Sequence, residues 1–217
     1  MIIRHVSHNI NMGEYMKNFF KNYNLEFLTA FMFGAGILAA ALVPELSFSR
    51  RILLVFMFLF TLHEWEENRF PGGFEKIMEG MIGRRFDAES KKMSHVPVMI
   101  LLIAIHIIPF IFDNVVILIL IPVCLALFEG FVHTMGVKLS GAKKFYTPGM
   151  ITAYCMAAFA VFAIVCLNSR DMAQGKDYLL AALCTWLSFA VMQNRVLAIN
   201  GIRYRDILGI IKSKVKK

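Results

Sequence analysis

Charged residues and cysteine are both scarce in this 217-residue chain, and each scarcity excludes a class of protein. Only 18% of the residues are charged, 58% are hydrophobic and the mean hydropathy is +0.62, whereas soluble domains are roughly half apolar and one-quarter charged. This composition excludes a soluble globular enzyme and a disordered chain. The four cysteines lie inside apolar runs without CxxC or CxxxC spacing, which excludes a zinc knuckle and a disulfide scaffold.

Six apolar runs dominate the chain, and each is about as long as a membrane-crossing helix. They cover residues 27–43, 52–66, 96–112, 115–135, 150–167 and 178–198. Asp113 and Asn114 alone separate the third run from the fourth, so these two runs form a tight hairpin. The sequence therefore predicts an all-α fold, a polytopic membrane bundle of about six transmembrane helices.

Lysine and arginine are distributed unevenly around these runs. Of the 23, nineteen lie at the N-terminus, in the even-numbered loops or at the C-terminal end, and four lie in the odd-numbered loops. Because cytoplasmic loops carry the excess of basic residues, both termini are predicted to be cytoplasmic and the protein to be a multi-pass protein of the cytoplasmic (inner) membrane. The first run is too long for a signal peptide. The net charge of +8 follows this topology, so no nucleic-acid partner is expected.

Three segments outside the spans have one apolar face, as helices on a membrane surface do. They divide the chain into an N-terminal interfacial segment (1–24), a transmembrane domain (25–198) and a basic amphipathic tail (199–217). Anionic lipid headgroups are the expected partners, and simple anchoring is the favoured interpretation. The apolar faces consist of Tyr15, Met16, Phe19, Phe20 and Tyr23; of Phe74, Ile77, Met78, Met81 and Ile82; and of Tyr204, Ile207, Leu208, Ile211 and Val215.

The strongest polar signal is a run of acids around a histidine at the end of the second span. Glu66 and Glu67 follow His63 by three and four residues and share its helical face. Glu64 falls to one side of that face, where it is expected to be solvated. The residues Phe70-Pro71-Gly72-Gly73 then end the helix.

A second polar pair, Glu129 and His133, lies four residues apart in the fourth span. Because spans two, four and six run in the same direction, this pair is predicted to lie at the same membrane level as His63. The sixth span contributes Asn194 at that level, and Tyr146 precedes the fifth span. Three other polar residues need no catalytic role, although the sequence leaves open whether the histidines join the site: Glu26, His95 and His106.

Buried carboxylates require a cation, because an ionised side chain deep in a span costs about 2.5–3.5 kcal/mol. Imidazoles and carboxylates on two facing helices can share one metal ion, or two. The predicted ligands, which suit Zn²⁺ or else Fe or Mn, are His63, Glu67, Glu129 and His133. Glu66 is predicted to be the general base on a metal-bound water, and Asn194 or Tyr146 to stabilise an oxyanion. This predicts a metal-dependent hydrolase acting on a lipid or another lipophilic substrate.

Three alternatives stay open. Glu66 could pair with Arg69 or Arg195 in a purely structural ion-pair network. The same residues could transfer protons without a metal, as an isomerase does. A non-enzymatic transporter, immunity or scaffold protein is the third possibility.

The motif resembles that of the HXXEE family of small bacterial membrane proteins. His63, Glu66 and Glu67 match its name, and residues 146–153 (YTPGMITA), which follow the helix bearing His133, resemble a further family segment. The family often has Asn four residues before that histidine, so Glu129 is a departure. The resemblance implies a membrane enzyme and supports the cluster as its site without naming a substrate.

A weaker similarity concerns the sterol isomerases of the emopamil-binding type, which move protons with a membrane-embedded histidine and two glutamates and no metal. Here His63, Glu67 and Glu129 correspond to that set. This similarity implies the metal-free isomerase.

Overall fold

The computed structural model describes residues 12–140 and 145–206, apart from the side chains of residues 138–140, and these ranges contain helices and no strand. The six predicted spans each fall within one long helix, and a short helix, α3, follows the second. The predicted all-α membrane bundle is confirmed. The helices are α1 (Met12–Leu42), α2 (Phe48–Asn68), α3 (Phe74–Ile82), α4 (Ala88–Ile111), α5 (Val116–Ser140), α6 (Met150–Asn168) and α7 (Gly175–Ile199).

Five of these helices, α1, α4, α5, α6 and α7, are long and apolar enough to cross a membrane. The exception is α2, because it carries two arginines in its first turn and three glutamates near its end. Its middle is nevertheless buried, with Ile52, Leu53, Phe56, Met57 and Phe60 at most 3% exposed. Helix α2 therefore lies in the centre of the bundle, and a count of about six spans is compatible with the structure.

Helix α5 packs closely against α6 and α7, and α2 packs against α1 and α6. Small residues allow the close approach of α5 to α6. A Cβ atom added at Gly130 would lie 3.0 Å from the Cβ of Ala157, and Ala153 and Ala160 of α6 are fully buried. Small residues at membrane helix interfaces let backbones approach in this way, and here they bring the ends of α5 and α6 beside α2.

Contacts between loops define the two ends of the bundle. At one end Arg50, in the first turn of α2, pairs with Asp113 of the α4–α5 turn at 3.1 Å. At the other end Arg84 donates a hydrogen bond to the Gly201 carbonyl, beyond α7. The ends of α2, α5 and α7 and the start of α6 therefore lie at one level, as the order of the spans predicts. Their cytoplasmic location stays a prediction.

The predicted amphipathic segments differ in how they join the bundle. The N-terminal one continues directly into the first span within α1, with a kink at Tyr23 (φ −125°, ψ 27°). The second is α3, whose apolar face covers an internal cavity. Residues 1–11 of the N-terminal segment and 207–217 of the C-terminal segment lie outside the described residues.

Candidate metal centre

The structure brings the four predicted ligands together where α2 and α5 end. His63 Nε2 lies 3.7 Å from Glu67 Oε1 and 3.8 Å from Glu129 Oε2. His133 Nε2 lies 3.2 Å from the same Glu67 oxygen. One ligand atom from each of His63, Glu129 and His133 lies within 4.8 Å of the other two. Both histidines are almost fully buried, at 3% and 1% exposed.

The separations in this cluster fit a shared ion. Donor atoms about 2.0–2.1 Å from a tetrahedral zinc ion are roughly 3.3–3.4 Å apart, and the observed separations of 3.2–3.8 Å bracket that value. In addition, His133 Nε2 is buried and has no hydrogen-bond partner among the described residues. A buried nitrogen of this kind calls for a partner, which a cation between the four side chains would supply.

The start of α6 holds both imidazoles by their other nitrogens. His63 Nδ1 lies 3.1 Å from the Gly149 carbonyl oxygen and 3.0 Å from Thr152 Oγ1. His133 Nδ1 lies 3.0 Å from Thr147 Oγ1. Because Nδ1 of each ring is engaged here, each Nε2 is left to face the carboxylates. Metal-binding histidines are commonly fixed by such a contact on the far nitrogen.

Gly149 makes this arrangement possible. It precedes α6 with φ 92°, in the left-handed region, where a side chain is disfavoured. A Cβ at this position would lie 2.6 Å from Glu67 Cγ, 2.7 Å from His133 Cε1 and 2.9 Å from His63 Cε1. The backbone of α6 can approach the cluster this closely only because the residue is glycine.

Glu66 does not face the cluster. One carboxylate oxygen accepts hydrogen bonds from the Tyr146 hydroxyl (2.8 Å) and the Ile151 amide (3.2 Å). The other accepts from the Thr152 amide (2.8 Å) and hydroxyl (2.6 Å). Both oxygens are thus engaged at the start of α6, where a carboxylate is stabilised by the free amides and the helix dipole. Glu66 is therefore not positioned to act as the predicted general base. It anchors α6 against α2 instead.

The two predicted oxyanion donors are also placed elsewhere. Asn194 lies exposed on α7 and does not line the cavity described below, whereas its neighbour Gln193 does. Tyr146 donates its hydroxyl to Glu66, and burial together with that carboxylate raises the pKa of Tyr146 to about 12. Neither side chain is positioned to stabilise an oxyanion at the cluster, so neither predicted role fits the structure.

A cavity of about 540 Å³ adjoins the cluster, enclosed by α2, α3, α4, α5 and α7. His63, Glu67 and Glu129 form part of its wall. Most of the remaining wall is apolar and includes Phe74, Met78, Met81, Val98, Phe128, Val132, Phe189 and Met192. Its volume and its mostly apolar surface, with polar groups in the wall, are typical of a small-molecule site.

The matching family model is described as "Protein of unknown function with HXXEE motif", and it covers residues 54–166, just over half of the chain. The chain belongs to the HXXEE family. The matched region contains all four candidate ligands and the start of α6. No curated protein and no solved structure matches the chain.

Sequence reasoning did not assign Glu64, Asn68 or Glu75 to this site of the HXXEE protein and left His95 open, and all four residues line the cavity. Glu64, expected to be solvated, is only 8% exposed, and Asn68 donates a hydrogen bond to it. In the cavity wall, Glu75 of α3 contacts His95 of α4, with 3.0 Å between Glu75 Oε1 and His95 Nε2. This hydrogen bond, aided by Lys91, holds the pKa of Glu75 below its usual value. The sequence does contain a signal for Glu75. It falls beside Met78 and Ile82 on the apolar face of α3, where a solvated carboxylate is not expected.

Neither of the two arginines that the sequence offered as partners reaches the cluster. Arg69 pairs instead with Glu26 at 2.7 Å, and Arg195 is exposed and outside the cavity wall. Within the described side chains, the ion-pair partners of Glu67 and Glu129 are the two histidines. The structural alternative, in which arginines offset the acids, therefore loses its proposed partners.

His106 is separate from the site. It is fully buried, its Nδ1 lies 2.7 Å from the Leu102 carbonyl oxygen, and its ring packs edge-on against Phe60. It does not line the cavity, so it belongs to the packed interior of the bundle.

Proposed function

We propose that this HXXEE protein is a metal-dependent membrane enzyme, a hydrolase that acts on a lipid or another lipophilic substrate. The observation that carries the proposal is a cluster of two imidazoles and two carboxylates beside an apolar cavity, with nitrogen–oxygen separations of 3.2, 3.7 and 3.8 Å. Mixed nitrogen and oxygen donors suit Zn²⁺, or else Fe or Mn. The ligands are His63, Glu67, Glu129 and His133.

One side of the cluster faces the cavity, so a substrate in the cavity would have access to a bound ion. His63, Glu67 and Glu129 line the cavity, whereas His133 lies behind them. A water or substrate oxygen would approach the ion from the cavity, and a bound ion lowers the pKa of such a water and polarises a carbonyl. Glu64 replaces Glu66 as the proposed base, because it is the remaining carboxylate of α2 in the cavity wall.

The apolar cavity would hold the hydrocarbon part of the substrate. Helix α3 covers it, with Phe74 packed on the His133 ring at a centroid distance of 5.4 Å. On the outer side, Lys76, Arg84 and Arg85 surround a shallow surface pocket, which suits anionic headgroups of the proposed inner membrane. The substrate would thus reach the metal from the lipid phase.

Metal analysis tests the proposal directly. Protein purified in detergent without chelators should contain about one Zn, Fe or Mn per chain, and His133→Ala and Glu129→Gln should lower that content sharply. His106→Gln, a histidine change outside the cluster, is the matched control and should retain the metal. A wild-type protein without stoichiometric metal, after supplementation with each ion, would overturn the metal-dependent function.

A turnover assay tests the hydrolase. Native membrane lipids incubated with the protein should yield products visible by mass spectrometry, and chelation should stop their formation until metal is restored. Glu64→Gln should keep the metal and lose turnover. Retained turnover in a metal-loaded Glu64→Gln protein would contradict the role of Glu64.

A metal-free proton-transfer isomerase is the second candidate, favoured by the hydrogen-bonded Glu75–His95 pair in the same cavity. An acid–base pair of this kind can move protons without an ion. This function predicts a product of unchanged mass, and an activity that survives chelation and depends on Glu67 and Glu129.

A further inference from the structure

The two adjacent glutamates of the motif face opposite sides of His63. Glu67 lies beside its Nε2, whereas Glu66 is connected to its Nδ1 through one hydroxyl group. The connecting group is Thr152 Oγ1, 2.6 Å from Glu66 Oε2 and 3.0 Å from His63 Nδ1. A carboxylate, a hydroxyl and an imidazole thus form a continuous chain that ends at the candidate metal centre.

The partners at each step fix the proton positions. The Gly149 carbonyl oxygen, 3.1 Å from His63 Nδ1, can only accept a hydrogen bond. Nδ1 therefore carries the proton. The single Thr152 proton points to an acceptor, and the Glu66 carboxylate at 2.6 Å is closer than the Gly149 carbonyl at 3.1 Å. Thr152 Oγ1 consequently donates to Glu66 and accepts from His63.

We infer that Glu66 and Thr152 are positioning residues that fix the tautomer of His63 and strengthen its Nε2 as a metal ligand. This inference rests on the proposed function. With the proton held on Nδ1, the lone pair of the neutral ring lies on Nε2, which faces Glu67 and Glu129. The negative charge at the far end of the chain makes the imidazole more basic, as a carboxylate bonded directly to a ligating histidine does.

The other contacts of Glu66 make the arrangement rigid. Four donors hold its carboxylate, so it stays ionised and oriented. Three of them belong to Ile151 and Thr152 in the first turn of α6, whose backbone also brings Gly149 against the cluster. Helix α6 thereby aligns the imidazole while contributing no metal ligand of its own.

Thr152 gives the sharpest test, because valine has nearly the same shape and lacks the hydroxyl. Zn²⁺ affinity of the full-length protein in detergent, measured by chelator competition, should fall by roughly 10–100-fold in Thr152→Val, the usual effect of losing a partner of a ligating histidine. Thr152→Ser should restore affinity. Thr185→Val is the matched control, because it removes a hydroxyl that bonds the Ile121 and Ala181 carbonyl oxygens away from the cluster, and it should leave affinity unchanged.

The absorption of bound Co²⁺ gives a second readout of the His63 ligand. The bands should shift in Thr152→Val and return to the wild-type position in Thr152→Ser. Wild-type affinity together with an unshifted Co²⁺ spectrum in Thr152→Val would overturn the inference, even though the metal centre itself would stand. A wild-type protein that binds neither ion would instead overturn the proposed function.

A third measurement is independent of whether Thr152→Val folds. Nitrogen-15 NMR of histidine-labelled, Zn²⁺-loaded wild-type protein should show an imidazole coordinated through Nε2 and protonated at Nδ1, and Thr185→Val should leave that signal in place. His63→Gln should remove it, which assigns it to His63. A His63 that coordinates through Nδ1 and is protonated at Nε2 would overturn the inference whatever the variants do.

Discussion

Replacing Gly149 with alanine should remove the metal from the candidate centre. The added Cβ would lie 2.6–2.9 Å from carbon atoms of Glu67, His133 and His63, closer than carbon atoms can approach without displacement. All three of these residues are proposed ligands, so no relaxation can spare the cluster. The change adds one methyl group and no charge. Any loss of metal would therefore result from displacement of the ligands and not from a change of their chemistry.

The size of the effect on stability follows from two terms. Holding a residue other than glycine at φ 92° costs about 1–2 kcal/mol. Forcing a methyl group into a packed interior costs about 1–3 kcal/mol more. The free energy of unfolding should therefore fall by roughly 2–5 kcal/mol. The bundle should remain folded, with a lowered thermal midpoint.

Gly73 provides the matched control. It also precedes a helix in the left-handed region, with φ 98°, but a Cβ there would have no heavy atom within 4 Å. Gly73→Ala should show the backbone cost alone and keep its metal, whereas Gly149→Ala should lose more stability and most of its metal. Bound metal by mass spectrometry and thermal unfolding in detergent measure both. A Gly149→Ala protein with full metal content would refute the reasoning.

Three further predictions concern the cavity and the buried interior. Val98→Trp should fill the cavity and reduce labelling by a photoreactive lipid without loss of metal, whereas Val161→Trp on the exposed side of α6 should label normally. His106→Leu should raise the thermal midpoint, because a buried Nε2 without a partner among the described residues costs about 1–3 kcal/mol; a lower midpoint would show that this nitrogen is satisfied. Gln193→Ala should reduce lipid labelling and Asn194→Ala should not, and equal effects would contradict the orientation of α7.

Hydropathy alone was sufficient for the five helices that are apolar over the thickness of a bilayer. It could not show what covers an apolar face. The face of α3 reads as a membrane anchor, yet Phe74 and Met78 line a cavity. Similarly, the interfacial segment before Tyr23 looks separate from the first span, yet one kinked helix contains both. Periodicity identifies an apolar face, whereas its partner depends on long-range packing.

The cluster was predictable to the level of the helix face. The spacing of His63 from Glu67 and of Glu129 from His133 places each pair on one face, and the parallel course of α2 and α5 brings the pairs together. The direction of Glu66 was not predictable. Adjacent residues differ by about 100° around a helix, so the environment of Glu66 depends on α6, whose first amides lie beside its carboxylate.

The spacing of the cluster also bears on the simplest alternative to the proposed ion, in which two imidazolium ions neutralise two carboxylates. Charged N–H···O contacts typically close to about 2.7–2.9 Å. His63 Nε2 instead stands 3.7 and 3.8 Å from its two carboxylates, while the nearby hydroxyl of Thr152 reaches Glu66 at 2.6 Å. His133 Nε2 comes closer to these carboxylates, at 3.2 Å from Glu67 Oε1, so the long separations are those of His63. Under the proposed function, a cation held between the four side chains would account for these separations, and protonated histidines paired with the two carboxylates are the alternative that metal analysis tests against it.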